Sequence, residues 1–386
     1  MIIVISNKKI NPGRNDDRMF LEEPSGTIGE KIAIATAEHT PRQGKAAQRW
    51  SGEKLKEIAR SILFSENLWR LAPVAEGEAA DFFENLIVRM KEEEIGSKWL
   101  FMVHGAGQPT LGALEQAAKV EAIHGVNVIL FMWPSWSSPL SMAILGRIAP
   151  LLIRRAGVTW PKAALALGYG AYEEKLRQYH QAREMAKTCR TALEAALNMV
   201  SKLFVKKASL MEGFSISMMA HSLGALVVES MAWDPAMAGP GKIFSNVILN
   251  AADVDSEGHD EWVEAMNLGH RIYVIQNRYD AALHASSALA GNQRRLGTRL
   301  KGKVSDHVTA YVDLSPGKGT AARHALFLMS SEANSSIHRM YNRLMRGEAF
   351  FGAAVDSLPA PKGFMLAEDN HFTLSDSAAA SGMGKD

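Results

Sequence analysis

The stretch that decides the fold is residues 214–228, which reads FSISMMAHSLGALVV. Its first half is apolar enough for a buried strand, and its last residues begin an apolar helix. The segment between them, Ala-His-Ser-Leu-Gly, is typical of a nucleophile elbow, a sharp turn that exposes a serine between a strand and a helix. Ala220 and Gly224 lie two residues before and after Ser222, and their small size lets the strand and the helix approach closely. The same pattern also fits a buried serine in an ordinary connection, so the rest of the sequence must decide.

Outside this stretch, short runs of β-forming residues alternate with helical patterns along the chain. The runs that we predict as core strands lie at 99–103, 126–132, 214–219, 243–249, 271–276 and 308–314. Strands that alternate with helices pair in parallel, and continuous apolar runs indicate a sheet that is covered on both faces. The sequence therefore predicts an α/β fold with a doubly wound, mostly parallel sheet.

The predicted core spans residues 96–345, with a helical insertion at 137–205 between its second and third strands. Residues 1–95 form an N-terminal extension, and the sequence leaves open whether its strands join the main sheet. Residues 346–386 form a C-terminal segment, which is predicted to end in a frayed tail from residue 368 because Ser, Ala, Gly and Asp dominate there. Further predicted elements are strands at 1–6 and 31–36 and helices at 52–64, 79–94 and 172–202.

The most apolar part of the insertion is residues 140–170. Arg147, Pro150 and Arg154 interrupt it, so it contains no run of about 20 apolar residues, the length that a transmembrane helix needs. We interpret this segment as a lid over an apolar pocket or as a surface that touches lipid. Ordinary core helices are the alternative interpretation.

Composition limits the compartment and the partners. Lys and Arg number 43 against 41 Asp and Glu, and the net charge of +2 gives no general attraction for nucleic acid. The single cysteine, Cys189, excludes an internal disulfide and fits a reducing compartment. The N-terminal apolar run is too short for the core of a signal peptide. We therefore expect a cytoplasmic protein. The basic stretch 294–303 is predicted to be a solvated loop.

An acid and a histidine follow later strands in the order that a reactive serine requires. A serine nucleophile needs a base to take its proton and a carboxylate to orient that base, and after an elbow the chain order is serine, acid, histidine. Asp280 follows the run at 271–276, and His324 follows the last core strand. Both come after the carboxyl ends of strands, the edge at which parallel sheets bind ligands. We predict a triad of Ser222, Asp280 and His324.

Other residues compete for these roles. Asp253 and Asp255 follow the fourth core strand and are the alternative acids. His307 precedes a strand and would lie at the opposite edge of the sheet. His221 is expected to point away from the side chain of the nucleophile. The histidines show no metal-ligand spacing, so we expect no metal and no organic cofactor.

Two backbone N–H groups are candidates for stabilising an oxyanion. Leu223 follows the serine at the start of its helix, where N–H groups are unpaired. Ala106 lies in a Gly-rich turn after the first core strand. The residues predicted to line the substrate pocket are His104, Gly105, Trp133, Trp136 and His221. For the two tryptophans, simple packing is the alternative.

Together these motifs resemble the α/β-hydrolase superfamily, and more narrowly an uncharacterised bacterial family of esterase-like and lipase-like proteins. The matching motifs are His104-Gly105, Trp133-Pro134-Ser135, His221-Ser222-Leu223-Gly224, Ala252-Asp253-Val254-Asp255, Asp280-Ala281-Ala282-Leu283, Arg295-Leu296-Gly297 and His324. They cover residues 99–330, about the whole predicted core. Leu223 replaces the methionine that is usual in that family, and the segment 140–170 is foreign to its pattern.

The resemblance implies a serine hydrolase that cleaves a carboxylic ester through an acyl-enzyme intermediate without a cofactor. The expected substrate is a small ester or a lipid-like molecule, and peripheral contact with a membrane is a further expectation. A thioesterase or an amidase would use the same triad. Outside the enzymes, the alternative is a binding module that has this fold and no catalysis.

Overall fold

The structure is a computed structural model that describes most of the predicted core. The described residues are 1–25, 31–41, 67–75, 77–92, 95–135, 168–234, 241–302, 308–350, 360–368 and 370–375. The predicted helix at 52–64, His307, and the insertion between 136 and 167 with Trp136 lie outside the described residues.

Strands and helices alternate through these residues. The strands are β1 Ile2–Ser6, β2 Lys8–Ile10, β3 Phe20–Pro24, β4 Ala33–Pro41, β5 Asn67–Pro73, β6 Lys98–Val103, β7 Asn127–Met132, β8 Ser215–His221, β9 Val247–Asn250, β10 Ile272–Gln276, β11 Thr309–Asp313, β12 Phe364–Glu368 and β13 His371–Leu374. The helices are α1 Ala79–Glu92, α2 Thr110–His124, α3 Gly168–Thr188, α4 Arg190–Met199, α5 Gly224–Ala232, α6 His259–Ala265, α7 Ala281–Leu289 and α8 Ser335–Met345. Shorter pieces are a π-helix at Val200–Val205, a helical turn at Lys206–Ala208 and a 3-10 helix at Leu326–Leu328.

A mixed sheet of eleven strands forms the centre of the described structure, in the order β12-β13-β11-β10-β9-β8-β6-β7-β1-β4-β5. From β13 through β1, every neighbouring pair is parallel. Antiparallel partners lie at both edges, with β12 beside β13 and with β4 and β5 beyond β1. The mostly parallel, doubly wound α/β fold predicted from the sequence is confirmed.

The N-terminal strands are part of this sheet, which the sequence had left open. Ile2 of β1 is in register with Val128 of β7 on one side and with Ala37 of β4 on the other. The first strand of the chain therefore lies well inside the sheet. The helix predicted at 79–94 is present as α1.

Both faces of the sheet are buried, as the continuous apolar runs predict. In β1, Ile3 and Ile5 belong to one apolar cluster, whereas Ile2 and Val4 belong to a second cluster. Successive side chains of a strand point to opposite faces, so the two clusters lie on the two faces of the sheet. Every residue of β7 is buried as well.

The long helix predicted at 172–202 is divided in the structure. Helix α3 ends at Thr188, α4 begins at Arg190, and a π-helix follows at Val200–Val205. Ala182, Ala186 and their apolar neighbours further along belong to the core. None of the helices within the described ranges is long and apolar enough to cross a bilayer.

The frayed tail predicted from residue 368 is wrong for its first part. Strand β13 pairs in parallel with β11 through Tyr311 and His371, and β12 pairs with β13. Phe372 and Leu374 are buried at this edge of the sheet. These two alternating apolar side chains supply the burial that holds a strand in an otherwise polar segment.

Candidate active site

Ser222 lies at the apex of the turn between β8 and α5, with a backbone φ of 54°. This left-handed conformation is costly for a residue other than glycine, so the surrounding contacts must hold it. Its N–H donates to the carbonyl of Asn250 at 3.0 Å, and its own carbonyl accepts from the N–H groups of Ala225 and Asp253, each at 3.1 Å. The serine is partly exposed while its neighbours in the turn are buried. This is the geometry of a nucleophile elbow.

Two glycines allow the Gly-rich turn after β6 to lie against this elbow. A Cβ atom on Gly224 would come within 2.6 Å of the His104 carbonyl oxygen, so the start of α5 lies against the end of β6. A Cβ atom on Gly105 would come within 2.9 Å of the Cβ of Ser222. The backbone that carries Ala106 therefore lies directly beside the serine.

His324 and Asp280 are hydrogen-bonded to each other at this edge of the sheet. The Nδ1 atom of His324 lies 2.7 Å from Oδ2 of Asp280. The Asp280 side chain is fully buried, whereas 25% of the His324 side chain is exposed. The other carboxylate oxygen, Oδ1, accepts the N–H groups of Ala282 at 2.9 Å and Leu283 at 3.1 Å, so Asp280 is also the N-cap of α7. Both ends of the carboxylate are thus fixed.

The alternative acids face a different partner. Asp253 accepts the hydroxyl of Ser286 at 2.6 Å and lies 3.2 Å from Nε of Arg295. Asp255 forms an ion pair with Nη1 of the same arginine. Burial raises the pKa of Asp253, and the charge of Arg295 opposes that rise. The structure therefore brings Asp280 to His324 and places Asp253 and Asp255 around a fully buried Arg295, which corrects the prediction of a solvated loop at that position.

The ring of His221 packs against the ring of His324. Its ring centroid lies 4.6 Å from that of His324, with an angle of 45° between the planes. Asn250 Nδ2 lies 2.9 Å from Nδ1 of His221. Burial holds the pKa of His221 well below its ordinary value, and the neighbouring His324 lowers it further. His221 is therefore a buried neutral residue that packs on His324, and not a wall of an open pocket.

His104 and Trp133, which were predicted to line the substrate pocket, are fully buried and contact each other. The indole Nε1 of Trp133 donates to the carbonyl of His104 at 2.8 Å, and the Trp133 N–H donates to Nε2 of His104 at 3.2 Å. The two rings stack with centroids 5.6 Å apart. Burial lowers the pKa of His104 to about 3, so its imidazole stays neutral. The pair stabilises the turn that contains Gly105.

The two predicted oxyanion donors lie in the two segments next to Ser222, the start of α5 and the Gly-rich turn after β6. Leu223 precedes the first residue of α5, and Ala106 follows Gly105. Neither N–H donates to a protein acceptor among the described residues. Unpaired N–H groups at a helix start favour a negatively charged ligand atom.

A cavity of about 800 Å³ lies beside α3, between β3 and Pro134. Its lining includes Arg177, Gln181, Glu184 and Thr188 of that helix. These residues repeat on the face of α3 opposite Tyr179, whose hydroxyl points to the Asp253 carboxylate at 3.3 Å. The cavity thus lies on the far side of α3 from the elbow. Across the described ranges, no group of three or more His, Cys, Asp or Glu residues is arranged to hold a metal ion.

Three residues that hold His221 were not identified from the sequence. Asn250 is the polar last residue of β9, Tyr341 lies on the buried face of α8, and Phe327 follows His324 in the 3-10 helix. The signal was weak, since only a polar residue at the end of an apolar strand marks Asn250 as unusual.

Comparison with known proteins places this geometry in a family. A model described as an alpha/beta hydrolase of unknown function (DUF900) matches residues 78–320. The match contains Ser222 and Asp280 and ends shortly before His324. No curated protein and no solved structure matches the chain. The family match covers more than half of the chain and agrees with the parallel sheet and the elbow, and the protein therefore belongs to this family of α/β hydrolases.

Proposed function

We propose that the protein is a serine hydrolase that cleaves a carboxylic ester through Ser222, His324 and Asp280. The observation that carries the proposal is the 2.7 Å contact between His324 Nδ1 and Asp280 Oδ2, at the sheet edge where Ser222 occupies a left-handed turn. A carboxylate on Nδ1 keeps a proton on that nitrogen. The other nitrogen, Nε2, is then left with the lone pair that a general base needs.

The reaction follows from these positions. Oγ of Ser222 attacks the carbonyl carbon of the ester while Nε2 of His324 takes its proton. The carbonyl oxygen becomes an oxyanion, which the N–H groups of Leu223 and Ala106 stabilise. His324 then protonates the leaving alcohol, and an acyl-Ser222 ester remains. A water molecule, deprotonated by His324, attacks the carbonyl carbon of this ester. The bond between the acyl carbon and Oγ of Ser222 then breaks, Oγ takes the proton back from His324, and the acid is released.

The substrate is proposed to be a small ester or a lipid-like acyl ester. A thioester or an amide would pass through the same steps, and a panel of p-nitrophenyl esters, thioesters and anilides of increasing chain length separates these classes.

A fluorophosphonate probe tests the proposal because it reacts covalently with an activated serine and requires no knowledge of the substrate. We expect the folded wild-type protein to be labelled, with the adduct on the peptide that contains Ser222. The variant Ser222→Ala should not be labelled.

Ser230→Ala is the matched control. This serine lies on α5, the helix that follows the elbow, and its hydroxyl already donates to the carbonyl of Leu226 at 2.6 Å. It should be labelled like the wild type. A folded wild-type protein that does not react contradicts the proposal and favours a binding module with this fold.

A further inference from the structure

We propose that His221 is a positioning residue that holds the imidazole of His324 in line with Ser222, and that Asn250 and Tyr341 in turn hold His221. The inference rests on the proposed function, and it concerns residues to which the triad mechanism gives no role. Its evidence is the set of contacts among the described residues behind His324.

The first step is that His324 needs a second contact. Its hydrogen bond to Asp280 fixes one ring nitrogen, but a single hydrogen bond still allows the ring plane to tilt about that contact. A quarter of the His324 side chain is exposed, so the solvent side provides no restraint. The ring of His221 packs against the ring of His324, with centroids 4.6 Å apart, and restricts this tilt.

The second step is that His221 is itself held. Nδ1 of His221 lies 2.9 Å from Nδ2 of Asn250 and 3.3 Å from the backbone carbonyl oxygen of the same residue. The hydroxyl of Tyr341 bonds to Oδ1 of Asn250, which helps to hold that amide in place. The ring of Phe327 contacts His221 edge-on at 5.0 Å. These contacts hold the ring of His221 in one orientation.

The third step links the base to the nucleophile. The backbone carbonyl of Asn250 accepts the N–H of Ser222 at 3.0 Å, while its side chain orients His221. One residue thus supports Ser222 through its main chain and His324 through its side chain and His221. The relative position of the nucleophile and the base depends on β9 as well as on the loops that carry them.

The fourth step concerns charge. Among the described residues, Asp280 bonds to Nδ1 of His324, the ring of His221 packs on it, and Asp253 interacts with it electrostatically. His104 interacts electrostatically with His221. Burial lowers the pKa of His221, and the neighbouring His324 lowers it further, so His221 remains neutral when His324 takes the proton from Ser222. A second positive charge at this place would oppose that proton transfer.

The test compares two variants at position 221 by the rate of fluorophosphonate labelling. His221→Ala removes the ring, and we expect the rate of the covalent step to fall by about 10²-fold. A misplacement of a reacting group by about 1 Å has an effect of this size. Binding of the probe should change little. His221→Phe restores a ring of similar size and should recover most of that loss. Tyr341→Phe, which frees the amide of Asn250, should lie between these two variants.

A matched control comes from a second ring contact, between His39 of β4 and Trp69 of β5, whose centroids are 5.0 Å apart at the edge of the sheet. His39→Ala removes a comparable ring contact and should be labelled at the wild-type rate. Labelling of His221→Ala at the wild-type rate, or equal loss in the Phe and Ala variants, would overturn the inference.

A second measurement covers the case in which His221→Ala does not fold. Nitrogen NMR of the histidine side chains in the full-length Ser222→Ala protein should show His221 neutral from about pH 5.5 to about pH 8.5. Protonation of His221 within that range would overturn the inference. Labelling of the wild type decides the proposed function by itself, so a failure there is distinguishable from a failure of the role given to His221.

Discussion

The carboxylate of Asp280 makes two kinds of contact at once, because Oδ2 lies 2.7 Å from Nδ1 of His324 while Oδ1 caps α7. The helix cap prevents rotation of the carboxylate, so the acid and the histidine keep a fixed geometry. Asp253 has no such contact with His324. Its Oδ1 atom accepts the hydroxyl of Ser286 and lies near Nε of Arg295, and the hydroxyl of Tyr179 bonds to the same carboxylate. The difference gives a direct way to test which carboxylate supports the base.

Asp280→Asn should reduce ester hydrolysis and fluorophosphonate labelling by about 10⁴-fold, because an amide at this place favours the wrong tautomer of His324. Asparagine is as good an N-cap as aspartate, so α7 and the melting temperature should change little. Asp253→Asn is the matched comparison, and it should remain within about tenfold of the wild-type rate because the contact of His324 with Asp280 is intact. The reverse order of the two variants would contradict the assignment of Asp280 as the triad acid.

Gly105→Ala should slow labelling of Ser222 by about 10²-fold, since the new Cβ would lie 2.9 Å from the Cβ of Ser222 and must displace the turn or the serine. Gly96→Ala is the matched control, because the nearest atom to a Cβ at that position is 3.6 Å away, an ordinary contact. We expect the control to be labelled like the wild type. Equal rates for the two variants would show that the turn does not have to lie against the serine.

Arg295→Met should lower the free energy of unfolding by about 3–5 kcal/mol at neutral pH, because it leaves Asp253 buried without its cation. Burial already raises the pKa of Asp253 in the folded protein, and loss of Arg295 removes the main opposing influence. A carboxyl group whose pKa is higher in the folded state favours folding at low pH, and this contribution is lost as pH rises through the folded pKa. The loss in free energy of unfolding caused by Arg295→Met should therefore be smaller under acidic conditions.

Urea unfolding of this variant and the wild type at about pH 5 and about pH 8 measures that difference. Lys301→Met is the control, because its ion pair with Glu257 is exposed and should contribute less than about 1 kcal/mol. A deficit in Arg295→Met that is the same at both pH values would contradict the account of Asp253.

Glu229→Gln should stabilise the protein above neutral pH. Burial, followed by the charge of Asp255, raises the pKa of Glu229 to about 7. The folded protein thus keeps the proton more strongly than the unfolded chain, and stability is lost as pH rises through about 4.5 to about 7. A neutral glutamine avoids this loss, which gives an expected gain of about 2 kcal/mol at about pH 8 that fades below about pH 5.

Chemical denaturation of the two proteins across this pH range checks the expectation. Glu212→Gln, at an exposed position, is the control and should leave the unfolding curves unchanged. A wild-type protein that is as stable as Glu229→Gln at the higher pH would show that Glu229 is not held in a buried site.

The core strands carry strong local signals and were placed correctly from the sequence. The core strands were recognisable as continuous apolar runs, and Asp280 and His324 each follow the carboxyl end of one. Because the carboxyl ends of parallel strands meet at one edge, their position in the chain was enough to bring them together. The elbow at Ser222 combined a strand, a small-residue turn and a helix within one short stretch.

The orientation of His221 could not be inferred in this way. Alternation of side chains between two faces holds for a regular strand. Ser222, with its φ of 54°, ends that regularity at the next residue, and the direction of His221 depends on Asn250. Arg295 was placed in a solvated loop for a similar reason, since its burial depends on Asp255, whose distance along the chain hides the ion pair from any local pattern.

The order of strands in the sheet has a consequence for synthesis of the chain. Strand β1 precedes its parallel neighbour β7, which ends at Met132, so the parallel pair cannot form until β7 has been synthesised. Tyr341, whose hydroxyl contacts the side chain of Asn250, lies 91 residues further along the chain and is synthesised later still. A nascent chain that stops before α8 would contain the elbow, Asp280 and His324, but no Tyr341 to hold Asn250. Ribosome-bound chains of increasing length should therefore acquire reactive Ser222 late, after most of the sheet has emerged.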